Sequence, residues 1–204
     1  MASTSQKSTI LPGRSALHGR AATITANPNG GKPGLVFYEM AHLGKINLRT
    51  DKSASKMVKA ITGCAFPPAA NKFTSAGERH AVWLGPDEFL IICEAGKDED
   101  LTGAIQTALG SRHSAVTNIS DALAAFHLKG AAVRQALAKG CSLDLHPDSF
   151  LLGDAAQTLL SHAAVTIMAL AEDEFIVICR TSFASYLHDW LCDAALEYGV
   201  TFKK

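Results

Sequence analysis

Residues 87–93 read DEFLIIC and residues 173–179 read DEFIVIC. Each begins with an acidic pair and runs into aromatic and β-branched residues, the signature of a strand entered from a turn. A second pair of landmarks precedes them in the same order. Thr62-Gly63-Cys64 is answered by Lys139-Gly140-Cys141, and each closes a helical pattern. The first match is offset by 77 residues and the second by 86, so the later copy is longer by about nine residues between landmarks. Two matches in one order point to an internal duplication.

The pattern extends outward from these anchors. Residues 43–50 alternate, with Ile46 and Leu48 on one face of a half-buried strand. Residues 53–62 place Ala54, Met57, Val58 and Ile61 at helical spacing before the stop at Gly63. Strands at 80–84 and 88–93 are joined through Gly85-Pro86-Asp87, and a helix carrying Leu101, Ala104, Ile105, Ala108 and Leu109 ends at Gly110. The second half repeats the order: a strand at 122–129, a helix with Val133, Ala136 and Leu137 stopped by Gly140, and strands around 156–170 and 174–179. Its closing helix has Phe183, Tyr186, Leu187, Trp190, Leu191 and Ala194 on one side. His188 falls one residue off that face, which predicts a surface or rim position. The expected fold is α+β: two β-α-β-β-α halves, residues 35–111 and 112–200, forming one domain over 35–204 with mainly antiparallel sheets about a pseudo-dyad.

Composition limits the function classes. The chain has 204 residues, 48% hydrophobic and 19% charged, which is a globular balance. Nineteen basic and nineteen acidic side chains cancel, leaving no overall electrostatic case for nucleic acid or anionic lipid. No apolar run approaches the roughly 18 residues of a membrane-spanning helix. The first twenty residues lack the apolar stretch of a secretory signal, and Pro12, Gly13 and Gly19 interrupt any transit-type helix, so a cytoplasmic location is expected. Five cysteines, odd in number and without a C-x-x-C pair, read as reduced and buried.

Residues 1–34 read as an irregular arm, crowded with Gly, Ser, Pro and Asn. The first acid of the chain is Glu39, so Lys7, Arg14, Arg20 and Lys32 stand uncompensated along it. Two readings stay open here: a disordered terminus, or a basic arm ordered against a partner. In the second reading Arg14 and Arg20 pair with carboxylates, and Leu11 and Leu17, with Ile10, are apolar anchors.

Chemistry is hard to find. Asp87-Glu88 and Asp173-Glu174 are adjacent residues at hairpin corners, pointing to opposite faces, and read as turn residues. Eight scattered histidines form no i, i+4 helical pair and no HExxH. No G-x-G-x-x-G, G-x-x-x-x-G-K-[ST] or G-x-S-x-G is present. The expectation is a chain with no catalytic, cofactor-binding or metal-binding residues of its own.

Asn118–Phe150 (NISDALAAFHLKGAAVRQALAKGCSLDLHPDSF), Gly153–Leu160 (GDAAQTLL), the strand around Asp173 and Phe175, and Ser182–Ala195 (SFASYLHDWLCDAA) resemble the gamma subunits of heterotetrameric sarcosine oxidase. Val82–Ile92 has the same look in the first half. These subunits in turn are similar to the folate-binding domain of aminomethyltransferases, which carries D-V-S-H and G-G-x-x-D-D motifs. Here the first reads Asn118-Ile119-Ser120-Asp121 and the hairpin of the second runs through Leu160-Ser161-His162-Ala163-Ala164-Val165, so the motifs' acids are missing. The resemblance implies the scaffold without the transferase activity. It implies an assembly subunit beside alpha, beta and delta partners in a complex that demethylates sarcosine oxidatively, releasing glycine, hydrogen peroxide and formaldehyde or methylenetetrahydrofolate. FAD, FMN, NAD, tetrahydrofolate and zinc are expected on those other subunits. A stand-alone folate-binding one-carbon protein and an accessory domain of another oxidoreductase are the alternatives. Lys139-Gly140-Cys141 also resembles the K-G-C-Y motif of a folate-dependent iron–sulfur repair protein, but continues Ser142-Leu143 where that motif continues G-Q-E.

Overall fold

The computed structural model describes residues 13–28 and 30–204. Two short strands come first, β1 (Thr23–Thr25) and β2 (Leu35–Glu39). The first repeat follows as β3 (Gly44–Arg49), α1 (Ser55–Thr62), β4 (Phe73–Ala76), β5 (Arg79–Gly85), β6 (Glu88–Cys93), α2 (Asp98–Leu109) and β7 (Ala115–Asn118). The second runs β8 (Leu123–Lys129), α3 (Val133–Ala138), β9 (Ala155–Leu160), β10 (Ala163–Ala171), β11 (Glu174–Arg180), α4 (Ala184–Ala194) and β12 (Val200–Lys203).

Sheet order makes the duplication visible. One sheet runs β4-β5-β6-β3-β7; the other runs β9-β10-β11-β8-β2-β12-β1. Element for element the two agree, except that β2 is inserted between β8 and β12, and β1 is added outside β12. The pairing is antiparallel apart from β12 with β2. Register agrees as well: Leu48 faces Phe89 in the first repeat and Leu128 faces Phe175 in the second. Each β5–β6-type hairpin shifts register at the same place, between Trp83 and Gly85 and between Ala169 and Ala171.

The sheets stack face to face with helices outside, giving an α+β sandwich of four layers. Phe89, Ile91 and Cys93 of β6 point to the core under α1 and α2, whereas Leu90 and Ile92 point between the sheets. On β11, Phe175, Val177 and Cys179 meet α3 and α4, while Ile176 and Ile178 enter the same middle layer. Both faces of these strands are buried, which is why FLIIC and FIVIC are continuous apolar runs without alternation. Helix α1 stops where expected, with Gly63 at φ +81 and its N–H bonded to Lys59 O at 2.8 Å.

Several expectations need correction. The repeats do not divide at 35–111 and 112–200: β2 belongs to the sheet of the second repeat, and β7 completes the sheet of the first. Each half gains two strands, so the unit is β-α-β-β-β-α-β. The run 156–170 is two strands, reversed at Ser161, whose φ of +53 makes a tight turn without glycine or proline. His188 is buried, its ring 4.5 Å edge-on from Phe202 and 5.7 Å from Phe37, because β2 and β12 cover that side of α4.

The arm is docked on its own domain over its described part. Leu17 is buried in the core beneath α3 and α4, and Glu39 accepts hydrogen bonds from the Ala16 and Leu17 amides at 2.9 and 3.1 Å. β1 zips onto β12 from Thr23↔Phe202 to Thr25↔Val200.

Candidate functional site

The four residues expected at a partner interface have different fates. Arg20 grips Asp189 through both guanidinium nitrogens, at 2.7 and 3.1 Å, and Leu17 is enclosed in the core, so both serve within this chain. Arg14 is exposed at the mouth of a polar cavity. Leu11, like Ile10, lies outside the described residues.

The acidic pairs at the hairpin corners are used across strands. Equivalent acids take equivalent bonds: Glu88 accepts from Asn47 Nδ2 at 2.7 Å, and Glu174 from His127 Nε2 at 2.7 Å and Lys129 Nζ at 2.6 Å. The Lys129 bond is the main reason the Glu174 carboxyl is held below the usual range. Asp87 reaches Arg49 at 3.4 Å. Among the described residues no group of three His, Cys, Asp or Glu side chains is placed to hold a metal.

The Asn118–Asp121 segment builds a hydrogen-bonded network. Asn118 Nδ2 donates to Asp98 at 2.8 Å and Glu99 at 2.7 Å, and Ser120 Oγ donates to Asp98 at 3.0 Å. Burial pushes the Asp98 carboxyl up, but these bonds outweigh it and hold the group below its ordinary value. The network borders a polar cavity of about 450 Å³ that also contains Lys45, only 2% exposed. By register, Lys45 takes in the first repeat the middle-layer position that Ala125 takes in the second. Desolvation lowers its pKa, opposed by the charges of Asp121, Glu39 and Asp98.

A larger feature lies where the two sheets stop matching. The five-stranded sheet covers β8 to β11 and ends there, so the same face of β2, β12 and β1 has no sheet opposite it. Cross-strand pairing lines up Lys129, Val36, Thr201 and Ile24 in one row and His127, Tyr38 and Lys203 in the next. Ile24 is 77% exposed and Tyr38 38%, with the Tyr38 ring stacked on His127 at 4.9 Å. A cleft of about 620 Å³ opens on this face, walled by Gly34, Gly130, Ala132 and Tyr198 and rimmed by Lys32, Lys129 and Lys203. Among the described residues no carboxylate lines it. Sequence reasoning misses this face, which rests on β2 and β12: VTFK alternates over only four residues, and LVFYE is a short apolar run without alternation.

Comparison with known proteins agrees with this geometry. Residues 49–197 match the model of the sarcosine oxidase, gamma subunit family. The chain is 31% identical over 182 residues to the sarcosine oxidase subunit gamma of Corynebacterium sp. (strain U-96), covering 88% of each chain. It is 31% identical over 168 residues to that of an Arthrobacter species, covering 81% of this chain and 82% of the relative. Among solved structures, a chain of the heterotetrameric sarcosine oxidase of Corynebacterium sp. U-96, in complex with pyrrole 2-carboxylate, superposes with a TM-score of 0.76 and 29% identity. That match covers 83% of this chain and 87% of the other. Aminomethyltransferase T of the glycine cleavage system from Bartonella henselae shares the fold at a TM-score of 0.62 and 12% identity, over 87% of this chain and 52% of its own.

Proposed function

Because the chain belongs to the sarcosine oxidase gamma subunit family, we propose that it is the assembly subunit of a heterotetrameric sarcosine oxidase and takes no part in the chemistry. The observation that carries this reading is the 0.76 superposition at 29% identity on a chain of such a heterotetramer, over 83% of this chain and 87% of the other. In this reading alpha, beta and delta subunits are its partners, and FAD, FMN, NAD, tetrahydrofolate and zinc reside on them. Titratable residues that the sequence offers for chemistry, Glu88 and Glu174 among them, are engaged in cross-strand bonds, and no metal-ligating triad forms among the described residues. What remains to be useful is surface: an αββα body with one sheet face bare.

The test is co-expression of a tagged chain with the other three subunits. The tag should retrieve a coloured complex that consumes oxygen with sarcosine, and the chain purified alone should show neither colour nor turnover. Assembly of a fully active complex from the other three subunits, with this chain eluting separately, sinks the reading.

A further inference from the structure

We propose that the bare face of β2, β12 and β1 is where another subunit of the assembly docks, inserting an apolar side chain flanked by carboxylates into the lysine-rimmed cleft. The proposal rests on the subunit reading above and adds to it the surface and the chemistry of the partner segment.

Three observations lead there. First, the face is a missing layer: β5 and β6 bury their facing sides against β10 and β11, but the strands at this end of the second sheet extend past the first. Ile24 and Tyr38 are exposed on it, large apolar groups that a finished sandwich would cover. Second, the charge is one-sided. A chain with nineteen basic and nineteen acidic residues has Lys32, Lys129 and Lys203 around this cleft and, among the described residues, no acid in its lining. Lys129 is held by Glu174 at 2.6 Å, whereas the ammonium groups of Lys32 and Lys203 form no ion pair within the described part of the chain. Third, Tyr38 stacked on His127 gives a flat, pre-ordered floor, the kind of surface that anchors an inserted side chain without losing much freedom. A second copy would bring lysines against lysines. Residues 1–12 carry Lys7 and no carboxylate, so the chain's own terminus lacks the complementary charge. Carboxylates on another subunit supply it, steering the encounter and setting register, while the apolar floor supplies adhesion.

The experiment is the same co-expression, with the double charge reversal K32E/K203E and, separately, Tyr38→Asp, each washed at low and high salt. Both lysines are exposed at the rim, so the isolated K32E/K203E chain should melt with the wild type. Retention of this chain in the complex should fall at least fivefold for K32E/K203E at low salt, and K32A/K203A should fall between. The wild-type complex should lose this chain as salt rises. Tyr38→Asp should reduce retention at both ionic strengths. Wild-type retention of all variants overturns the proposal alone; failure of the unaltered chain to co-purify overturns the subunit reading and the proposal with it. An isolated wild-type chain that sediments as a dimer broken by K32E/K203E would assign the face to a second copy. A small molecule held by the isolated chain in native mass spectra and lost in the same variant would assign it to a ligand. Either overturns the proposal.

Discussion

Cys93 and Cys179 occupy the same position in the two repeats, each closing an apolar strand against the helix-side core. Burial pushes the Cys93 thiol up to about 11 and Cys179 to about 12, from an ordinary value of 9.0. Cys64 and Cys192 are raised for the same reason. The folded chain therefore keeps protons that the unfolded chain releases above about pH 9, and stability must fall as pH climbs from there toward 11. Cys93 and Cys179 each contribute about 1.4 kcal/mol per pH unit across that window. Lys45, with a lowered pKa, works in the opposite sense but is one group against four. Urea unfolding of the free chain at pH 8 and pH 10 should show the loss, and replacing Cys93 and Cys179 by Ala should flatten the slope markedly while removing about 1 kcal/mol each at pH 8. An identical slope in the double variant would show that the thiols are not responsible. These cysteines were legible as buried apolar groups from their neighbours alone. His188 was not, because the strands that bury it come from opposite ends of the described chain.

At the scale of elements, the close approach of β2 to β8 depends on Gly130. Its φ is +145, and a Cβ there would overlap the backbone carbonyl of Gly34, so the two segments could not stay this close. Gly130→Ala should cost about 2–4 kcal/mol through combined strain and displacement of β2. Thermal melts and amide exchange at Val36 and Tyr38 would register it; an unchanged melting temperature would mean that β2 can shift freely. This also explains what could be read in advance. β6 and β11 announce themselves because both of their faces are covered, so five consecutive letters are apolar. β2, β7 and β12 are four or five residues long and find their partners far away, so local pattern gives little to work with. The hairpin at Ser161 was hidden for another reason: a left-handed serine makes the turn, and the usual glycine or proline marker is absent.

For the whole molecule, the arm is the surprise. A basic, apolar-poor segment reads either as a disordered terminus or as an arm ordered against a partner, yet Leu17 enters the core, Arg20 holds Asp189, and β1 closes the edge of β12. Deleting residues 1–25 should therefore destabilise the isolated chain by about 2–4 kcal/mol, chiefly through exposure of the Leu17 site and the β12 edge. It should also raise aggregation, since an unpaired edge strand is left open. Equal urea midpoints for the full and shortened chains would return the arm to the status of a tail. The candidate docking face was beyond sequence reading at this scale, because it is assembled from strands that no local window brings together.

The position of β12 also bears on how the polypeptide reaches this state as it is made. Thr23 pairs with Phe202, and Leu35 with Val200, so residues 200–203 lie between two strands synthesised near the start. The five-stranded sheet draws on residues 44–118 alone and can close while translation continues. Its neighbour cannot: β1 has no partner, and β2 only β8, until Val200–Lys203 has left the ribosome. Throughout elongation the nascent chain thus exposes an incomplete sheet whose final strand arrives last, with a loop-closure penalty set by some 180 intervening residues. Chaperone protection, or capture by a neighbouring subunit during synthesis, is most valuable in that interval.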